Sequence, residues 1–406
     1  MKLIRNFLLL ALAIGALQIW LHQRDSDIAD QRPTELSQVE QVKVALLWPF
    51  ELPGKPRDLT REGAQLAAEQ INAAGGIGGK PLQLVFFNNG GDTDRNAELS
   101  RKISGDPSYN ALVGSYYSSL ALDTLVATEA KNLFYVIIGA ELPSLTGYSF
   151  QHAVRPHFNT SDYTRALAEL LRCRGDKNLA IIGDQSSFSA QSAADLIKAF
   201  RDLGGNPPIQ RTVPAWVRDF RHVLSEDAMA TADAIYFSGS YQQLPDFVKQ
   251  LREFGLRGRV YGDSSALRKE TPQLLGPAGE GFEALTTFHP GEEGKTAEFV
   301  QAFVARYGTE PDLWARDTYD GIMLLAESIR ATGSLEARTL FAHVRFLPDW
   351  DLVRGKISFA PDGSLEGERF YRGQIRQGAW IFPDGTVPIQ SCQPPPTTPG
   401  GSKGGP

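Results

Sequence analysis

Cysteine is scarce in this chain and histidine little commoner: two cysteines, Cys173 and Cys392, and six scattered histidines among 406 residues, with no His/Cys pair at ligand spacing. Zinc is held by such pairs a few residues apart, so no structural metal centre is expected. Runs of Lys or Arg are missing too, and the formal charge is −6. That balance argues against nucleic acid and against an anionic membrane surface as partners. A phosphate-binding loop is also lacking, although "EQINAAGGIGGKPLQL" (Glu69–Leu84) packs four glycines into five positions before Lys80. Such a loop needs Gly six positions before the Lys and a hydroxyl after it, where this chain has Ala74 and Pro81. The glycines instead follow an amphipathic helix over 58–73, marked by Ala64, Ala67, Ala68 and Ile71, with Asp58 or Thr60 as N-cap. Gly75 and Gly76 suit its left-handed stop, and Leu82–Phe87 reads as the strand that follows.

What the chain does have is enough apolar sequence, at 42% hydrophobic and 22% charged, to fill two separate cores. Lys2 and Arg5 precede the apolar stretch Phe7–Leu21, a secretory pattern that places the protein outside the cytoplasm. "AIG" at Ala13–Gly15 offers a cleavage site, while the apolar residues beyond it fit an uncleaved tether, so residues 1–22 stand as signal peptide or membrane anchor. No cysteine lies near the run, which excludes a lipoprotein anchor. An exported chain can form a disulfide, yet two unpaired thiols are the favoured expectation for Cys173 and Cys392. His152 and His157, in a proline-bounded extended stretch, are expected at the surface.

Residues 23–40 are polar and read as a linker; the Pro/Gly-rich tail 393–406 reads as disordered. Between them, apolar runs alternate with helical patterns: Val42–Trp48, helix 58–73, Leu82–Phe87, helix 94–104, Ala111–Gly114, helix 119–131 and Phe134–Ile138. The alternation restarts after "HAVRP" with helix 161–172, Leu179–Gly183, helix 190–203, Ala234–Phe237, helix 243–255 and Arg259–Gly262. Two α/β lobes with parallel sheets follow. Helices at 296–307, 313–332 and 336–345 come next, and strand-like pieces around Pro361-Asp362-Gly363 close the chain without another βαβ unit.

"REGAQLAAEQINAAGGIGGKPLQL", "ALVGSYYSSLALDTLVATEAKNLFYVIIGAELPSLT", "HAVRPHFNTSDYTRALAELL", "FVARYGTEPDLWARDTYDGIMLLAES" and "GKISFAPDGS" resemble the type I periplasmic binding proteins, the leucine/isoleucine/valine-binding group that feeds ABC importers. The resemblance runs from about Val42 to Pro383. It implies two Rossmann-like lobes, 41–153 with 287–346 and 154–286 with 347–390, joined by crossings near 153–156, 286–290 and 346–354. It also implies a ligand held between lobes that close by hinge motion, a membrane permease as partner, and no cofactor.

By the same resemblance, Ser118 and Ser119 of "GSYYSSL" match the serines that hold the ligand's carboxylate, an assignment the positive end of a helix supports. Taken alone, either serine serves equally as a helix cap. "GAELPSLT" brings Gly139 and Ala140 to the head group, with Glu141 where the family has Thr. A carboxylate ~4 Å from a ligand carboxylate costs on the order of 4 kcal/mol at an effective dielectric near 20. Glu141 is therefore expected either to turn to solvent or to receive a cationic or amide group. Phe188 stands at the aromatic cover position, Ser240 and Tyr241 in a Gly-rich loop, and Asp263 or Ser264 where the family places the acidic partner of an ammonium. Trp48 and Arg57 are the residues of the first loop able to reach a ligand, against core packing for Trp48 and a solvated surface for Arg57.

The resulting expectation is a non-enzymatic extracytoplasmic solute-binding protein for a small polar ligand. One alternative is a membrane-tethered sensor or structural envelope protein of the same fold. Another is a serine hydrolase built on Ser264 of "GDSSA", with His343 and Asp317 or Asp320; its last glycine is replaced by Ala266 and the oxyanion-loop motif is absent.

Overall fold

The computed structural model describes residues 32–52, 57–147, 150–225, 227–347 and 349–389. The chain divides into two units, one of residues up to Phe158 with Glu293–Gly367, the other of Asn159–Glu292 with residues from Glu368 onward. The N-terminal apolar run, the tail from Gln393 and Cys392 lie outside the described residues. Among those described, no helix is long and apolar enough to cross a membrane.

The first unit opens with β1 (Val42–Trp48), α1 (Thr60–Ala73), β2 (Leu82–Asn88), α2 (Thr93–Gly105), β3 (Ala111–Gly114), α3 (Ser118–Glu129), β4 (Phe134–Ile137) and β5 (Ala153–Val154). Its five strands are all parallel, in the order β2-β1-β3-β4-β5. Parallel strands are buried on both faces, and β1 shows the period-two consequence. Val44, Leu46 and Trp48 enter one core layer, Ala45 and Leu47 the other. Gly75 and Gly76 take positive φ and close α1, with the Gly76 amide bonded back to the Ile71 carbonyl at 2.9 Å.

The second unit carries α4 (Thr160–Cys173), β6 (Leu179–Gly183), α5 (Ser187–Asp202), β7 (Ile209–Thr212), β8 (Ala234–Ser238), α6 (Leu244–Glu253), β9 (Arg259–Gly262) and β10 (Glu283–Thr286). The chain then returns to the first unit for α7 (Lys295–Tyr307), α8 (Leu313–Thr332), α9 (Ala337–Phe346), β11 (Trp350–Leu352), β12 (Gly355–Phe359) and β13 (Leu365–Glu366). It ends with β14 (Tyr371–Arg376) and β15 (Ala379–Ile381) in the second unit. There the sheet order is β15-β14-β10-β9-β8-β6-β7, parallel except for the antiparallel β14 and β15. α8 lies directly on α1, an approach that needs Gly63: a Cβ there would fall 2.1 Å from the Ala315 carbonyl oxygen.

Four expectations are corrected. Residues 347–367, expected with the second lobe, belong to the first unit, because β11–β13 form their own small sheet against α9 and α8. The Trp350 indole donates to the Val344 carbonyl at 3.0 Å and the Val353 amide to Asp320 at 2.9 Å. The third passage between units therefore falls after Gly367, not near 346–354. Part of the expected linker is docked: Glu35 bridges Ser334, Leu36 is buried, and the Arg32 guanidinium donates to the Tyr109 and Ser104 carbonyls. Cys173 is disulfide-bonded, not a free thiol. Finally, His152 and His157 are both buried, because the stretch around Pro156 runs through the unit's interior.

Candidate functional site

Register places the carboxyl ends of the first sheet side by side. Gly114 pairs with Ile137 and with Leu47, so the loops after β3 and β4 leave the same edge together. Such an edge is where open parallel sheets bind ligands.

Ser118 is the first residue of α3 and is buried, its Oγ accepting from the Glu141 amide at 3.1 Å and the Leu142 amide at 3.2 Å. That clasp ties the two loops into one shelf. Ser119, next along, is exposed, and the first turn of α3 has no side-chain cap. Uncapped N–H groups at a helix start attract negative charge. Gly139 and Ala140 are buried behind the shelf; a Cβ on Gly139 would lie 2.6 Å from the Trp48 ring. Trp48 is a core residue, its indole donating to Asp58 and its rings meeting Tyr116 at 5.4 Å and Trp314 at 5.8 Å. Arg57 is half-exposed and paired with Glu62.

Glu141 does not turn to solvent. It is buried, with Oε1 3.5 Å from Nε2 of His157. His157 is 0% exposed; its Nδ1 stands 2.6 Å from Asp317 Oδ2, and its ring lies between Phe158 and Trp314 at 4.1 and 5.5 Å. Behind it, Asp317 is paired with Arg316 at 2.7 Å and with Arg354, and Arg354 also reaches Asp320 at 3.1 Å. All of these side chains belong to the first unit.

Burial works hardest against a charged His157. The hydrogen bond to Asp317 and the nearby carboxylates of Asp317 and Glu141 outweigh it and hold the imidazolium above its ordinary range. For Asp317 burial again favours the neutral form, but Arg316, Arg354 and His157 together keep the carboxylate below its usual range. Asp320 goes the other way, since burial exceeds what Arg354 and Arg316 return. Asp317 is bonded to His157 and Asp320 to the 353–354 backbone, while His343, grouped with them in the hydrolase alternative, has its ring against Trp350.

Sequence reasoning assigned no ligand role to His157 or Arg316 and missed Arg155 and Arg354. The available signal was charge on an apolar helical face: Arg316, Asp317 and Asp320 interrupt the buried stripe of α8. Arg155 is fully buried and holds the Glu141 loop, donating to the Leu142 carbonyl at 2.6 Å.

In the second unit the register likewise aligns Gly183 with Ser238 and Phe237 with Gly262. Phe188 is half-buried in the first turn of α5. Tyr241 is buried, its hydroxyl 3.0 Å from Thr271 Oγ1 and its ring 5.3 Å from the Arg268 guanidinium. Asp263 is buried and caps a short turn, accepting from the Ser265 amide at 2.9 Å and hydroxyl at 2.6 Å, with Ser264 buried after it. Among the described residues no cluster of His, Cys, Asp and Glu is arranged to hold a metal.

Comparison with known proteins adds the following. A sequence profile described as periplasmic binding protein matches residues 41–379. The leucine-, isoleucine-, valine-, threonine- and alanine-binding protein of Pseudomonas aeruginosa is 22% identical over 334 residues, 81% of this chain and 88% of its own length. The leucine-binding protein of Thermotoga maritima superposes with a TM-score of 0.77 at 22% identity, covering 84% of this chain and 97% of that one. A solute-binding protein of an ABC transporter from R. palustris, solved with benzoate, gives 0.72 at 19% identity over 84% and 95% of the two chains. At these identities structural likeness establishes the fold.

Proposed function

The chain belongs to the periplasmic binding protein family, and from that premise we propose that it is an extracytoplasmic solute-binding protein that captures a small polar molecule, an amino acid, an amide or a similar solute, and presents it to an ABC-type membrane permease. The observation that carries this reading is the shelf in the first unit. Ser118 locks the loops after β3 and β4 together, and the uncapped start of α3 stands beside exposed Ser119. A helix start with hydroxyls is a ready receptor for a carboxylate. Gly139, Ala140 and Glu141 complete that shelf; Phe188, Tyr241, Asp263 and Ser264 are the contributions proposed for the second unit. Binding needs no nucleophile, which agrees with a family of solute-binding proteins rather than enzymes.

Related proteins are named for leucine in one case and solved with benzoate in another, so the family fold serves aliphatic amino acids and aromatic carboxylates alike. The test is thermal stability of the purified protein against amino acids, amides, polyamines and aromatic carboxylates. A ligand at a hundred times its dissociation constant adds about 2.7 kcal/mol. Silence across the whole panel would sink the binding reading and favour a sensor or structural role for the same fold. The family places the protein in the periplasm, and the Lys2, Arg5 and Phe7–Leu21 pattern fits export. Fractionation with N-terminal sequencing of the mature chain separates a cleaved leader from a retained tether.

A further inference from the structure

We propose that the first unit carries a second small-molecule site at the amino edge of its sheet, away from the shelf, and that this site takes a solute bearing a primary ammonium group, which the acceptors of His152, Glu129, Asn132 and Glu336 receive around one cavity. The site stands apart from the binding function above. An unresponsive shelf leaves it in place, and a cavity filled only by water leaves the shelf untouched.

Register fixes where the cavity lies. Tyr135 pairs with Ala153 and its amide donates to the His152 carbonyl at 2.9 Å, so the stretches that enter β4 and β5 run side by side. The shelf leaves the other ends of the same sheet, after Gly114 and Ile137. At the entering edge α3 ends with Glu129, and α9 begins at Ala337 with Glu336 as its cap. Between these four chain ends Glu129, Asn132, Gln151, His152, Glu336 and Arg338 line a cavity of about 520 Å³, all from the first unit. That volume suits a small metabolite.

His152 gives the cavity its chemistry. Its Nε2 lies 3.0 Å from Thr128 Oγ1, and that hydroxyl gives its own proton to the Thr124 and Leu125 carbonyls, so Nε2 is the nitrogen that carries hydrogen. Nδ1 is then a bare lone pair, buried and met by no protein donor among the described residues. A buried acceptor without a donor is costly, and a ligand N–H supplies one. Burial also lowers the pKa of the ring to about 4, which keeps it neutral and accepting at neutral pH. The charged groups point to the same class. Glu129 closes α3, whose last turn has no basic residue, so its carboxylate stands at the negative end of the helix and forms no ion pair among the described residues. Lys131, two residues on, does not line the cavity. For Glu336 burial favours the neutral form, but the Thr339 hydroxyl and the Thr339 and Arg338 amides keep its carboxylate below the usual range. The Asn132 amide nitrogen is turned to Glu336 at 3.4 Å, which leaves its carbonyl oxygen for a ligand. Against these acceptors the lining has one cation, the exposed Arg338. A water would satisfy Nδ1 alone; an ammonium, with three N–H donors, also brings Glu129 the positive charge its helix end lacks.

Putrescine, a diamine without a carboxylate, tests this on the purified protein at neutral pH and low salt, with propionate as the anionic control. Nitrogen-15 spectra of the histidine rings, with the His152 signals identified by their loss in His152→Gln, should show the Nε2–H tautomer before any addition. Putrescine should move the unprotonated Nδ1 of His152 toward the hydrogen-bonded range, and propionate should not. Glu129→Gln, at an exposed position, should weaken putrescine roughly fivefold, and Arg338→Gln should strengthen it by a smaller factor, the scale of an exposed charge beside a cation. The proposal is overturned if Nδ1 carries the proton, if putrescine leaves Nδ1 where it was, or if propionate moves it as far. It is equally overturned if Glu129→Gln binds as tightly as wild type or Arg338→Gln binds more weakly. Calorimetric heat from putrescine with Nδ1 unmoved would put the diamine elsewhere on the protein, which sinks the second site and leaves the solute-binding reading intact.

Discussion

His152 and His157 sit five residues apart in the first unit, both are buried, and they titrate in opposite directions. His152 meets neutral partners, the Thr128 hydroxyl and the Phe150 ring. Its Nε2 lies 3.0 Å from the Thr128 hydroxyl, which has already spent its proton on the Thr124 and Leu125 carbonyls and so accepts from the ring. Burial then dominates and lowers the pKa to about 4, against the opposing pull of the Leu125 carbonyl. His157 is more deeply enclosed, yet two carboxylates face it and the balance reverses. Burial sets the default for a histidine, and the charge of what touches it decides whether the default holds.

Breaking that contrast at its source has the largest expected effect. Asp317→Ala would leave Arg316, Arg354 and His157 buried without their shared counter-ion, and removing one partner from a buried ionic cluster costs about 3–5 kcal/mol. Urea denaturation reads it directly, and a loss below about 1 kcal/mol would mean that the cluster does not depend on Asp317. In the same variant the His157 pKa should fall toward that of His152.

The acid limb of stability sharpens the contrast next. A histidine at about 4 in the folded state and near 6.5 unfolded leaves the unfolded chain holding more protons between those values. Stability is therefore full above pH 6.5 and falls by about 1.4 kcal/mol per unit below it, about 3 kcal/mol by pH 4. His152→Gln should flatten that slope. His157, with its pKa raised, contributes in the other window: its stabilisation is complete below the unfolded value and is lost as pH rises through the folded one. An unchanged acid slope in His152→Gln would show that His152 is not buried neutral.

The alternation of β1 to β4 with α1 to α3 was legible because each strand is a short apolar run and each helix has a 3.6-residue stripe; Val42–Trp48 and Ala111–Gly114 fall where their patterns predict. β7 escaped notice, since Ile209–Thr212 is a polar edge strand with little apolar signal. Residues 355–364 were read as strand-like but placed in the other unit, and β11 fell in the expected crossing, because nothing local records that Val353 will bond to Asp320. The site divides in the same way. The shelf that Ser118 and Glu141 share could be expected from loops at strand ends, a local feature. The burial of His157 could not, because it is fixed by Asp317, 160 residues away in sequence, and its histidine-proline context reads as surface until the helix bearing Asp317 covers it.

The smallest effect separates two neighbouring serines and returns to the same corner. Ser118→Ala strips the acceptor from the Glu141 and Leu142 amides, and buried N–H groups left without an acceptor cost about 1–3 kcal/mol. Ser119 is exposed, and Ser119→Ala should stay within about 0.5 kcal/mol in stability while weakening any ligand held at the start of α3. The two variants thus divide holding the shelf from using it. Ser118→Ala also frees Glu141 to move from His157, so the His157 imidazole titration should drift toward lower pH. Equal stabilities for the two variants would mean that the clasp does not hold the loop, and Glu141 would then have to be kept near His157 by Arg155 at the Leu142 carbonyl.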